Sequence, residues 1–120
     1  MVKPMARVTE RQEVLSQILQ VIERFRELDS EIQTQTVAVF LTVAKHPVPM
    51  KMQDIADDLG LAQSSVSRNV AWLGSWSRHH KKGQELLEAY EDPTERRRKL
   101  VRLTAKGTRF AKSLSDLIGD

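Results

Sequence analysis

The sequence predicts a mainly α fold of the α+β class. It reads as a long N-terminal helix, a second helix, two helices joined by a tight turn, a two-stranded β-hairpin and a C-terminal helix. Three observations carry this expectation. Apolar residues recur at helical spacing through most of the 120 residues. Ala56, Gly60 and Val66 are spaced so that two helices can cross closely around a turn. The period then shifts to alternation on the far side of Asp92-Pro93-Thr94-Glu95, four residues with turn chemistry.

Residues 9–28 form the first predicted helix. Thr9 and Gln12 fit a capping box, in which hydroxyl and amide satisfy free backbone N–H groups. Val14, Ile18, Val21, Phe25 and Leu28 make a helical stripe, which Leu15, Leu19 and Ile22 widen. So wide a stripe can serve both the chain's own core and a second copy, because a small domain rarely covers such a face alone. The alternative is burial in one core. Residues 31–45 form the second helix, with Val37, Phe40, Leu41 and Ala44 on its apolar face. His46-Pro47 ends it, since the residue before proline avoids helical geometry. Val48 to Met50 is expected as a very short strand.

Residues 52–59 and 63–77 are the helices of the tight turn. Ile55, Ala56 and Leu59 face inward from the first, Gly60 permits a left-handed stop, and Leu61 fills the corner. Val66, Val70 and Leu73 form the buried line of the second. Leu87-Glu88-Ala89-Tyr90 and Leu100-Val101-Arg102-Leu103 are the hairpin strands, with a charged tip between them. Residues 104–118 return to helix, with Thr104 as N-cap and Phe110, Leu114, Leu117 and Ile118 as the apolar stripe. Helix, tight helical pair, then hairpin is the order of a winged helix-turn-helix. The chain is expected to be one domain over residues 1–120. Residues 31–103 would be its core unit, with 9–28 and 104–118 as dimerisation helices.

Composition narrows the function. Hydrophobic residues at 40% and charged residues at 29% suit a folded domain. The absence of cysteine excludes disulfides, thiolate catalysis and thiolate zinc sites. No apolar run approaches the roughly 18 residues of a membrane span. Residues 1–7 lack a secretory h-region, so a cytoplasmic protein is expected. No glycine-rich phosphate loop, metal motif or Ser/His/Asp arrangement stands out, so neither enzyme activity nor a cofactor is expected.

Charge is more informative in its distribution than in its sum. The net charge is +3. Residues 63–84 hold Arg68, Arg78, Lys81 and Lys82 and no acid. Residues 96–112 hold Arg96, Arg97, Arg98, Lys99, Arg102, Lys106, Arg109 and Lys112 and again no acid. Positive charge concentrated in two segments outlines a polyanion binder, although two solvated basic faces would look the same.

On the helix over 63–77, Ser64, Arg68 and Ala71 lie opposite the buried line, with Ser67 beside them. Gln63, Ser64 and Ser65 open that helix with small polar groups near its positive end. Such an end suits a major groove, where Ser and Gln meet base edges or phosphates and Arg pairs with guanine or a phosphate. An ordinary solvated helix with capping serines is the alternative. At the hairpin, Arg96, Arg97 and Arg98, followed by Lys99, cannot all point the same way on an extended chain. One or two are expected in a minor groove or on phosphates. One is expected to pair internally with Glu88, Glu91, Asp92 or Glu95.

These residues resemble the MarR-type (multiple antibiotic resistance regulator) winged-helix transcription factors. The matching segments are residues 52–61, Gln63-Ser64-Ser65-Val66-Ser67-Arg68, and Asp92-Pro93-Thr94-Glu95-Arg96-Arg97 running on into Val101-Arg102-Leu103-Thr104-Ala105-Lys106-Gly107. The last is the most specific. The resemblance covers about two thirds of the chain. It implies a homodimer on a palindromic double-stranded DNA operator, with the second helix of the pair in the major groove and the hairpin in the minor groove. It also implies transcriptional regulation, more often repression, and leaves room for a small-molecule effector that the sequence does not identify.

The departures from the family pattern are specific. Ala62 stands where a capping serine or aspartate is usual, which would let the recognition helix start at Ser64. Glu95 replaces an aspartate. Residues 74–85 make the chain about eight residues longer before the hairpin, and the C-terminal part has one helix where the family usually has two. Trp72 and Trp76 are expected either to pack under the inserted segment or to form a contact patch. His79-His80 is a weak metal signal, and Arg78, Lys81 and Lys82 suit phosphate contact better. The expected DNA-binding residues are therefore Gln63, Ser64, Ser65, Ser67, Arg68, Arg78, Lys81, Lys82, Arg96, Arg97, Arg98 and Lys99. Val14, Ile18, Val21, Phe25, Leu114, Leu117 and Ile118 are expected at the dimer contact. Two other functions fit a small winged helix: a protein-interaction module, and a plasmid or phage replication or segregation protein.

Overall fold

The computed structural model describes residues 9–75 and 83–118. Its elements run α1 (Glu10–Arg26), α2 (Thr34–Lys45), β1 (Met50–Lys51), α3 (Met52–Leu59), α4 (Gln63–Leu73), β2 (Leu87–Asp92), β3 (Glu95–Leu103) and α5 (Ala105–Ile118). The architecture is the α+β winged helix-turn-helix that the sequence predicts.

The capping box forms at α1: Gln12 N donates to Thr9 Oγ1 at 3.1 Å and Thr9 N donates to Gln12 Oε1 at 2.9 Å. Helix α2 begins at Thr34, later than the expected 31, because Asp29 turns the chain first. Its Oδ1 accepts from Glu31 N at 2.9 Å and its carbonyl accepts from Ile32 N at 3.0 Å. Gly60 ends α3 at φ 65°, and Leu61 N returns to the Ala56 carbonyl at 2.9 Å, a left-handed helix stop.

The sheet has three strands in the order β1–β3–β2, one more than the hairpin alone. Met50 pairs with Val101 and Lys51 with Leu100. The expected short strand thus shifts to Met50–Lys51 and ties the helix-turn-helix to the hairpin. Strand β3 begins at Glu95, not at Leu100, so Arg96, Arg97 and Arg98 lie along the strand. The tip itself is Pro93-Thr94.

The core gathers aliphatic residues from every layer, among them Val39, Ile55, Val66, Leu73, Leu87 and Val101. All three phenylalanines meet in it. Phe25, Phe40 and Phe110 form a triangle of edge-to-face rings with centroids 5.3 to 5.8 Å apart. Thr104 caps α5, accepting from Gly107 N at 2.9 Å, while its hydroxyl donates to the Glu85 carbonyl at 2.6 Å. A Cβ on Gly107 would sit 1.9 Å from the Leu86 carbonyl oxygen, so only glycine lets α5 meet the start of β2.

Candidate nucleic-acid interface

Helix α4 starts at Gln63 with Ala62 as its N-cap and no side-chain cap. The absence of a capping side chain does not delay the start to Ser64. The Ala62 carbonyl already accepts from Ser65 N at 3.0 Å and Val66 N at 3.2 Å. The helix stops at Leu73, short of the expected 77, where Gly74 caps it. The chain then returns alongside that end: Gln84 N donates to the Trp72 carbonyl at 3.0 Å, Glu85 N to Gly74 at 2.8 Å and Leu86 N to Leu73 at 2.8 Å.

Val66, Val70 and Leu73 are buried. Gln63, Ser64, Ser67 and Arg68 are exposed, and Ser65 and Ala71 are half-buried. The first turn of α4 has no acid, so the positive end of its dipole is not neutralised within the helix. Arg68 Nη2 donates to Ser65 Oγ at 3.3 Å, and Arg68 forms no ion pair among the described residues. Trp72 is half-buried and packs against the core.

At the hairpin, Asp92 Oδ1 accepts from both Thr94 N at 2.9 Å and Thr94 Oγ1 at 2.8 Å, closing the turn. Arg98 Nη2 reaches Asp92 Oδ2 at 3.3 Å. The Thr94 backbone N–H, then its hydroxyl, and more weakly the Arg98 charge hold the Asp92 carboxyl below its ordinary pKa. Arg98 is thus the arginine held inside the hairpin. Arg102 Nε donates to Glu88 Oε2 at 2.6 Å and its guanidinium lies 4.3 Å from the Tyr90 ring centroid. The Glu88 hydrogen bond holds Arg102 above the ordinary guanidinium value. Arg96, Arg97 and Lys99 are exposed and form no ion pair among the described residues.

Helix and hairpin meet around a cavity of ≈ 290 Å³. Ser67, Ala71 and Ser75 line it from the helix side, and Leu87, Ala89 and Lys99 from the strands. The structure therefore brings Ser67 and Lys99 to one depression, with Ser64 and Arg68 on the exposed face of the same helix. Arg78, Lys81, Lys82, Trp76, His79 and His80 lie outside the described residues.

The residues expected at a dimer contact divide. Phe25 is fully buried in the phenylalanine triangle and Leu114 is 5% exposed, so both belong to the chain's own core. Val21, Leu114 and Ile118 line an apolar groove of ≈ 670 Å³ with Leu41, Ala44 and Ala111. Val14 and Ile18 are exposed further up α1, beside the exposed Leu15, Leu19 and Ile22, and Leu117 is half-buried.

Sequence reasoning missed a polar contact behind α4. Thr36 Oγ1 donates to Asn69 Oδ1 at 2.6 Å, and Asn69 Nδ2 donates to Gln35 Oε1 at 3.0 Å and to the Ser65 carbonyl at 2.9 Å. The available signal was position on the helix wheel: Asn69 flanks the Val66/Val70/Leu73 line.

No known family model matches the sequence, and no curated protein matches it. Solved structures do match its fold. The PcaV transcriptional regulator from Streptomyces coelicolor, solved with its natural ligand, aligns over 98% of this chain and 77% of its own at 23% identity and a TM-score of 0.59. The S. aureus MepR–DNA complex aligns over 90% of this chain and 77% of its own at 20% identity and a TM-score of 0.66. A MarR-family transcriptional regulator from Rhodococcus sp. RHA1 aligns over 88% of this chain and 70% of its own at 18% identity and a TM-score of 0.58. The chain has the winged helix-turn-helix fold of the MarR-type regulators.

Proposed function

We propose that this protein is a sequence-specific double-stranded DNA-binding transcriptional regulator, acting as a homodimeric repressor on an inverted-repeat operator. One observation carries the reading. Ser67 of α4 and Lys99 of the hairpin, which forms no ion pair among the described residues, line a single depression, and Ser64 and Arg68 lie on the exposed face of the same helix. A recognition helix there enters the major groove with Arg68 on a base edge. Ser67 and Lys99 then hold the phosphates that pass between helix and hairpin, and Arg96 and Arg97 reach the adjoining minor groove. The MepR–DNA complex supports this placement by shared fold.

A second copy joins through α1. Its exposed Val14, Leu15, Ile18, Leu19 and Ile22 continue toward the groove of Val21, Leu41 and Ile118. That face holds most of the large hydrophobic residues exposed among the described residues, and burying it is a favourable apolar gain. A small-molecule effector belongs to the proposal, supported by the PcaV complex with its natural ligand.

The test compares two variants on a bound sequence and on scrambled duplex. Arg68→Ala should reduce discrimination by about 1–3 kcal/mol. Lys99→Ala should weaken both duplexes alike and lower the salt slope by about 1. Equal loss on both duplexes in Arg68→Ala would remove Arg68 from the base-reading role.

A further inference from the structure

We infer that Thr36, Gln35 and Asn69 form a polar latch that fixes the rotation of α4 on α2, and that Thr36 and Asn69 thereby set sequence discrimination without touching DNA. The second half rests on the DNA-binding reading above.

The latch is complete on its own atoms. Asn69 uses its oxygen for Thr36 and both amide protons for Gln35 and the Ser65 carbonyl. Thr36 is 6% exposed, and no buried side-chain polar atom among the described residues is left without a partner. The other buried residues of the two helices are mostly apolar: Val39, Phe40 and Val43 on α2, and Val66, Val70 and Leu73 on α4. Apolar packing is non-directional, whereas a hydrogen bond weakens steeply off its angle. One side of the crossing also opens to solvent. A cavity of ≈ 290 Å³ opens beside the latch, lined by Gln35, Thr36, Asn69, Arg68 and Trp72. On that side the hydrogen bonds add a directional constraint to the apolar packing of the core.

The consequence reaches the exposed face through the helix itself. Asn69 follows Arg68 directly and holds the carbonyl of Ser65, whose hydroxyl accepts from Arg68. Turning a helix by about 10° moves its side-chain surface, about 6 Å from the axis, by about 1 Å. That exceeds the roughly 0.5 Å window of a good N–H···O distance. A latch remote from DNA therefore decides whether Arg68 meets its base edge.

The test uses Thr36→Val, which keeps the shape and removes the donor, and Thr36→Ser, which keeps the hydroxyl. Each full-length protein is measured in two ways. The first is the orientation of α4 relative to α2 from backbone residual dipolar couplings. The second is the affinity for the duplex that wild type enriches from a random library, divided by the affinity for a scrambled duplex. In Thr36→Val, α4 should turn and the ratio should fall about tenfold, within the discrimination that one Arg–base contact carries, with scrambled DNA bound as before. Thr36→Ser should restore both readouts. A merely structural role would lower the melting temperature and leave the ratio unchanged, which overturns the claim on discrimination. An unchanged α4 orientation overturns the latch whatever the DNA result. If wild type enriches no sequence, the DNA reading falls and the couplings alone decide the latch. Should Thr36→Val fail to fold, Thr36→Ala takes its place, removing the same donor without adding charge, and is read by the same two measurements.

Discussion

Phe25 of α1 and Phe110 of α5 meet edge to face with ring centroids 5.3 Å apart, and Phe40 of α2 closes the triangle. This cluster fastens both terminal helices to the helix-turn-helix. Arg24 caps its edge, 5.5 Å from the Phe110 centroid, while donating to Ser113 Oγ at 2.8 Å. Phe25→Ala should therefore cost about 3–5 kcal/mol of folding stability, the range for emptying a buried aromatic site. Urea unfolding at fixed protein concentration checks it. A loss below 1 kcal/mol would mean that α1 is not seated through Phe25.

Two glycines should respond to alanine to different degrees and for different reasons. At Gly107 the added Cβ collides with the backbone carbonyl of Leu86, which no side-chain rotation can relieve. Gly107→Ala should cost at least about 3 kcal/mol, the upper range of overpacking. At Gly60 the space is open and only the positive φ opposes alanine, so Gly60→Ala should cost about 1–2 kcal/mol. Thermal unfolding of the two variants should rank them in that order.

The hairpin turn should weaken in acid. In the folded chain Asp92 titrates below the ordinary value near 3.8, chiefly because it accepts from the Thr94 N–H. A carboxyl depressed by folding adds stability above its unfolded pKa and loses it as pH falls through the folded value. The contribution is thus full at neutral pH and fades below about pH 4. Carboxyl carbon shifts of Asp92 followed by NMR should give a midpoint below 3.8 that rises in Thr94→Ala. Thr94→Ala keeps the backbone N–H, so a midpoint unmoved by it would remove the Thr94 hydroxyl as a cause and leave the N–H bond alone.

Self-association should depend on the exposed half of α1. Ile18 is 48% exposed and lies outside the phenylalanine core, so Ile18→Glu should leave the protomer folded. It should shift sedimentation from dimer to monomer at micromolar concentration, because a desolvated carboxylate at an apolar contact costs several kcal/mol. Unchanged sedimentation would place the contact elsewhere.

Much of this was legible in the sequence because local chemistry and global fold agree. Thr9/Gln12, Gly60, Asp92-Pro93-Thr94 and Thr104 each announce an element boundary through their own backbone bonds, and each makes the expected bond. The length of β3 was not legible, because Arg96, Arg97, Arg98 and Lys99 carry no apolar alternation. Pairing with β2 as far as Glu95 makes them strand. The place of Phe25 was equally hidden, since a stripe shows that a face is apolar and not which neighbour covers it. The Thr36–Asn69 bond joins residues 33 positions apart, and nothing local marks such a pair. Basic composition found Lys99, but only the fold showed that it shares a depression with Ser67.

The most direct test of the DNA-binding proposal is selection of purified protein on random duplex DNA at about 150 mM salt, close to physiological screening, followed by sequencing of the bound fraction. An enriched inverted repeat with half-sites about one helical turn apart is the predicted result. Enrichment of no sequence, with binding that fades as salt rises, would contradict it and leave only charge-driven contact with DNA.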